Sequence, residues 1–204
     1  MIDSDYWTRY YAVTADRPAW ETVRIAIKRF SIDDARPQPL FAVDLGCGAG
    51  RDTRELLNAG WRVLAIDREP AAIAAVEAAT PPHQRPALET AIADAATANV
   101  PCCDLVNASL SLPFLAPDSF WATWRRILAA LPVDGRVAAI LFGDRDESAS
   151  DPSMTCPPAD EIRASLVSFE IELWSDHEED TRTALGEPHH FHLVELVARR
   201  VTLV

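Results

Sequence analysis

Apolar and polar positions follow two different periods along this chain, and each change of period marks an element. Trp20, Val23, Ile27 and Phe30 recur at helical spacing. They predict a helix opening at Pro18, a residue suited to the first helical position. Residues 35–39 hold two prolines and read as a loop. From there, short apolar runs and amphipathic runs alternate. Strands are predicted over 40–45, 61–66, 87–92, 104–108 and 135–142. Helices are predicted over 52–59 (closed by Gly60), 70–79, 118–131 with Asp118 as N-cap, and 160–169. Two final strands, 170–174 and 190–197, read as a hairpin around an acidic loop at 175–188. Strands separated by ten-residue helical patterns imply parallel pairing through crossovers. The expected fold is therefore α/β: a single-domain, doubly wound, Rossmann-like sheet, mostly parallel with an antiparallel C-terminal strand, and helices on both faces.

Ligands on such sheets bind at the carboxyl ends of the strands. Residues 46–50, Asp67, Asp94 and residues 107–111 all fall at predicted carboxyl ends. The segment Val43-Asp44-Leu45-Gly46-Cys47-Gly48-Ala49-Gly50-Arg51 is a GxGxG turn with an acid two residues ahead of it. Glycines let the backbone turn sharply and let a ligand approach the main chain. A dinucleotide fingerprint requires its third glycine at position 51, which is Arg51. A pyrophosphate also has no use for Asp44 beneath the loop, whereas a positively charged ligand does. Asp67 follows Gly46 by 21 residues, where an acid accepts both ribose hydroxyls of an adenosine ligand. Asp94 is placed to accept from an adenine amino group. Either acid also reads as a helix cap or surface charge.

Composition narrows the classes. The 204 residues suit one domain with its own core, and no run approaches a membrane span. The first residues carry acids and no apolar stretch, so no signal peptide is expected and the location is expected to be cytoplasmic. The net charge of −12 lacks the basic footprint of a nucleic-acid binder. Residues 144–195 hold fourteen acids and three arginines: solvated faces, or a mouth that favours a cation. The alanine richness and the single lysine, Lys28, point to a GC-rich bacterial gene. Four cysteines without a CxxC pair read as reduced thiols. Cys47 has no base placed beside it and reads as filling in the turn.

The stretches VDLGCGAGRDTREL, WRVLAIDREP, AIADA and CDLVNASLSLPF resemble the successive motifs of class I S-adenosylmethionine-dependent methyltransferases. Among these the chain most resembles the small bacterial tellurite-resistance type, from Tyr6 to about Arg200. The tail LGEPHHFHLVELVARR resembles that family's closing strand, with His189 and Phe191 departing from its usual lysine-histidine-tryptophan-histidine pattern. The resemblance implies an N-terminal arm and helix, residues 1–35, that cover the cofactor, and a methyltransferase domain over 36–204. It implies that Asp44, Leu45, Gly46, Cys47, Gly48 and Gly50 surround the methionine part of S-adenosylmethionine. Asp67 and Arg68 would lie at the ribose, Asp94 and Ala95 at the adenine, and Asn107, Ala108 and Ser109 at the methionine amino group. Nine residues separate Asp94 from Asp104, so the family's helix between strands three and four is expected to be a turn.

Residues 1–17 are polar yet hold Tyr6, Trp7, Tyr10 and Tyr11 within six positions. They are expected to form a flexible lid that orders on the cofactor, with Arg9 meeting a carboxylate, or else to pack as an ordinary wall. Aromatic faces near a sulfonium gain about 0.5–2 kcal/mol. His190 and His192 share one strand face and are the candidate catalytic bases; no metal set is apparent. Ser109, Ser111, Pro113 and Phe114 form a candidate substrate loop. Trp121 and Trp124 read as one core-facing helix stripe. The reading is methyl transfer to a small-molecule O, N or S nucleophile by a monomer or homodimer, without nucleic acid or membrane. The rivals are a non-catalytic binding domain of the same fold and a nicotinamide oxidoreductase.

Overall fold

The computed structural model describes residues 4–32 and 38–202. Residues 35–37 of the expected loop, and the boundary between residues 35 and 36, lie outside the described residues. Seven strands form one sheet in the order β3-β2-β1-β4-β5-β7-β6. They are β1 (Phe41–Leu45), β2 (Arg62–Asp67), β3 (Leu88–Ile92), β4 (Leu105–Ser109), β5 (Arg136–Phe142), β6 (Phe169–Arg182) and β7 (Pro188–Arg200). The first five pair in parallel, and β7 runs antiparallel to both β5 and β6. The strand order reverses between β1 and β4, the crevice at which open α/β sheets take ligands.

Helices cover both faces. α2 (Glu21–Ile32), α3 (Arg51–Asn58) and α4 (Pro70–Ala79) pack Val23, Phe30, Leu56 and Val76 on one face, over Ala42, Val63 and Ala65. α5 (Pro117–Ala130) and α6 (Ala159–Ala164) pack Phe120, Trp124, Ile127 and Ile162 on the other, over Val43, Val106 and Leu141. Odd and even strand positions thus divide between two cores, as a two-sided sheet requires. Trp124 is buried in its core and Trp121 is partly buried against it. No helix among the described residues is long and apolar enough to cross a membrane.

Several boundaries differ from the expected ones. α2 begins at Glu21 rather than Pro18, because the Trp20 backbone N–H is drawn to Asp52 Oδ1, 2.9 Å away. α5 starts at Pro117 with Ala116 as its N-cap, so Asp118 sits in the first turn, where its charge complements the helix dipole. α6 stops at Ala164, and Phe169 already belongs to β6. The N-terminal arm, for which the pattern predicts no helix, holds one at Ser4–Thr14, α1. Trp7, Tyr10, Tyr11 and Thr14 share its inner side, and Tyr11, Trp7 and Tyr10 pack on Ala49 and Ala72. The turn expected between β3 and β4 is present. Asp94 accepts from the Ala96 N–H at 2.7 Å, and Arg126 of α5 donates to the Ala95 and Ala96 carbonyls.

The expected acidic loop at 175–188 is instead mostly strand. β6 and β7 remain paired from Phe169↔Arg200 out to Arg182↔Pro188. β5 leaves β7 at Leu193, so the distal half of the hairpin stands beyond the carboxyl edge of the sheet. Its charged residues are exposed on a two-stranded ribbon, which hides the strand pattern.

Candidate functional site at the carboxyl edge

A cavity of about 460 Å³ opens where β1, β2, β4 and the projecting hairpin meet under α1. Its floor is the turn between β1 and α3. Gly46 and Gly48 both have positive φ, at 78° and 53°. A Cβ at Gly46 would lie 2.2 Å from Ser111 Cβ, and one at Gly48 would lie 3.2 Å from the Tyr11 ring. Gly46 thus has no room for a side chain, and one at Gly48 would crowd the Tyr11 ring, so the two glycines keep the floor open.

Two acids lie beneath that turn. Asp44 accepts from Thr53 Oγ1 at 2.6 Å and from Asn107 Nδ2 at 2.9 Å. The same Asn107 amide nitrogen donates to Asp52 Oδ2 at 2.9 Å, and Ser109 Oγ donates to Asn107 Oδ1 at 3.0 Å. Both carboxyls are almost wholly buried and line the cavity, joined by one neutral amide. Burial and the neighbouring Asp52 push the Asp44 carboxyl up to about 7, against the pull of Thr53 and Asn107. Burial also raises Asp52. Such a pair favours either a proton or a cation from the cavity.

Asp67 closes the adjoining side. It accepts from the Gly48 N–H and the Glu69 N–H, each at 2.9 Å, and from Tyr11 Oη at 3.4 Å. It therefore caps the α4 approach and clamps the glycine turn, while one lone-pair direction of its carboxylate is left over. Burial raises its pKa against these bonds. The first turn of α3 ties α1 to the site. Arg51 Nε donates to the Pro18 carbonyl at 2.8 Å, its guanidinium lies 4.2 Å from the Trp20 ring, and Arg54 donates to the Ala15 carbonyl.

A family model for a methyltransferase domain matches residues 43–131, the stretch that builds this turn and these acids. Solved structures share the fold of this chain. TehB from Haemophilus influenzae is 19% identical over 96% of this chain and 66% of its own, with a TM-score of 0.74. This chain thus spans just under two thirds of TehB. The 1,6-didemethyltoxoflavin-N1-methyltransferase of Burkholderia thailandensis is 21% identical over 98% and 87%, TM-score 0.63. The magnesium protoporphyrin IX methyltransferase of Synechocystis, solved with S-adenosylmethionine, is 17% identical over 97% and 92%, TM-score 0.68. No curated protein matches by sequence.

The fold brings most of the expected site residues to the cavity. Asp44, Gly46, Cys47 and Gly48 line its floor, and Asp67, Arg68, Asp94 and Ala95 line one side. Ser109 lies opposite, under Tyr6, Trp7 and Tyr10 of α1. Leu45 and Ala108 are buried in the core instead, Gly50 is the N-cap of α3, and Asn107 lies behind the acids. Arg9 is exposed and does not reach the cavity. Burial pushes the Cys47 thiol up, and its side chain packs on Ala65, Ile73 and Val76, as filling.

His190 and His192 do not reach the cavity either. They share a face, as alternation requires, but it is the other face of β7. His190 lies against Asp180 and Glu178 of β6 at 2.7 and 3.1 Å. His192 is fully buried; its Nδ1 accepts from the Arg145 N–H at 3.0 Å, and its Nε2 lies 2.7 Å from Asp176 Oδ1 and 3.0 Å from Arg145 Nη2. A Cβ at Gly143 would fall 2.2 Å from that ring, so His192 locks the β5 end to the hairpin. The cavity receives His189, Phe191 and Leu193. Asp52, Phe142 and His189 are cavity residues absent from the sequence-based set. Asp52 reads in sequence as an ordinary first-turn helix acid.

Proposed function

We propose that this protein transfers a methyl group from S-adenosylmethionine to a small-molecule nucleophile. The observation that carries this reading is the buried Asp44–Asp52 pair under the turn that Gly46 and Gly48 keep open. The residues fit the cofactor. An α-ammonium group answers the two carboxyls, and the open glycine floor accepts close approach. Asp67 retains capacity for a ribose hydroxyl, and Asp94 and Ala95 border the adenine side. Tyr6, Trp7 and Tyr10 close the site from above, with α1 and α2 as the cover and residues 36–204 as the catalytic domain.

Bound S-adenosylmethionine supplies an activated methyl group for direct in-line displacement. The protein holds the acceptor in line and excludes water, and positioning alone supplies roughly 7–11 kcal/mol. Where the acceptor has a proton to lose, His189 takes it. Its Nε2 lies 2.9 Å from Asp146 Oδ1. Asp146 also accepts from the Ser148 and His192 N–H groups, so as a carboxylate it orients the imidazole with its hydrogen on Nε2. Nδ1 keeps the lone pair, and Glu147 Oε2, 3.6 Å away, stabilises a proton taken there.

Methyl-labelled S-adenosylmethionine incubated with the protein and the small-molecule fraction of a bacterial extract tests the reading. Label is expected in that fraction, with S-adenosylhomocysteine as co-product. No label, or label only on protein or nucleic acid, overturns it.

A further inference from the structure

The wall of the cavity away from the acids is aromatic and continuous. Trp7 meets Phe114 edge-on at 5.0 Å, and Phe114 meets Phe142 at 6.1 Å. Phe142 lies 6.1 Å from Phe191, which lies 4.3 Å from His189. These rings come from α1, the turn after β4, the end of β5 and the projecting part of β7. Four separate elements thus bring flat faces to one wall. Two residues of the same cavity carry a buried polar atom without a hydrogen-bond partner: Ser111 Oγ and Trp7 Nε1. Buried polar atoms are normally paired, so both call for a ligand group that is complementary in the bound state.

Charge on this wall is equally specific. Arg68 is directed to Glu69 and the Trp7 ring, and Arg182 donates to the Gly186 carbonyl at 2.6 Å. Arg17 and Arg51 stand at the α1–α2 junction. Around the aromatic wall stand Asp146, Glu147 and Glu179. That arrangement disfavours an acidic molecule or an inorganic oxyanion and leaves flat apolar faces with one or two polar anchors.

Resting on the methyltransferase reading, we infer that the acceptor is a neutral, planar aromatic or heteroaromatic compound. It is held against Phe114, Phe142 and Phe191, with an O–H or N–H directed towards His189. Ring-on-ring contact is worth a factor of about 2 to 13 in affinity per pair.

Calorimetry on the full chain saturated with S-adenosylhomocysteine tests this with matched probes: 2-naphthol and 8-hydroxyquinoline, the saturated decahydro-2-naphthol, the acid 2-naphthoate, and selenite. The aromatic neutral probes are expected to bind about tenfold tighter than the saturated and anionic ones. Phe142→Leu and Phe191→Leu are each expected to reduce that preference about threefold or more, with S-adenosylhomocysteine affinity unchanged. Equal binding of decahydro-2-naphthol, tighter binding of 2-naphthoate or selenite, absence of aromatic binding, or a preference intact in the double variant overturns the inference. Failure of S-adenosylhomocysteine itself to bind would instead defeat the methyltransferase reading.

Discussion

Asp44 and Asp52 set opposite demands on the protein before and after a cation arrives. Without one, burial holds the Asp44 proton up to about pH 7, whereas the unfolded chain loses it near the ordinary carboxylate value. Its contribution to stability is therefore complete at low pH and is lost as pH rises through about 7. A bound ammonium favours the charged carboxylate, so affinity for S-adenosylhomocysteine runs the other way. The thermal midpoint of the free protein should fall between pH 5 and pH 8 while that affinity rises, and Asp44→Asn should flatten both trends. Scanning fluorimetry with and without ligand reads both; a free protein that gains stability through this range contradicts the account. With Asp67 holding the ribose as proposed, Asp67→Ala should weaken S-adenosylhomocysteine binding by roughly 10- to 150-fold in titration, the equivalent of about 1.5–3 kcal/mol. Unchanged affinity would leave Asp67 only its caps at Gly48 and Glu69. Asp44 and Asp67 were legible in the sequence because their spacing from the glycines places them at strand ends, whereas Asp52 sits in the first turn of α3 and carries no such signal. The histidines were legible only by half. Alternation says that His190 and His192 share a face, but which face meets the cavity depends on the long-range pairing of β7.

At the scale of elements, the hairpin rests on a buried ion pair. Arg136 of β5 is 1% exposed and donates from Nε and Nη2 to both oxygens of Glu172, at 2.7 and 2.9 Å, while its guanidinium lies 4.3 Å from the Phe30 ring. Glu172 sits where the β6 register shifts between Ile171 and Leu173. Glu172→Ala removes the bidentate carboxylate from that buried guanidinium and should cost about 3–5 kcal/mol in denaturant unfolding; a double change of Arg136→Met and Glu172→Leu should recover most of it. A loss under 1 kcal/mol in the single variant would show that solvent reaches the pair. The distal hairpin escaped the sequence pattern because a two-stranded ribbon in solvent has no buried face to print apolar alternation. α1 escaped it because its inner residues are aromatic and polar rather than aliphatic. As a cover over the glycine turn, α1 should gain hydrogen-exchange protection across residues 6–14 when S-adenosylhomocysteine binds. Equal protection in both states would make it a fixed wall.

The whole molecule follows from alternation of short strands with helices, which dictates parallel crossovers, a strand-order reversal between β1 and β4, and a ligand crevice there. What the sequence could not show is how far β6 and β7 continue past the edge of β5, since that length comes from their mutual pairing. The aromatic wall and His189 both depend on it. Isothermal titration at pH 8 decides whether the crevice takes an adenosyl ligand bearing an α-ammonium group or a dinucleotide. One saturable site for S-adenosylhomocysteine and no heat from NAD are expected; saturable NAD binding with a silent S-adenosylhomocysteine titration would refute the methyltransferase reading.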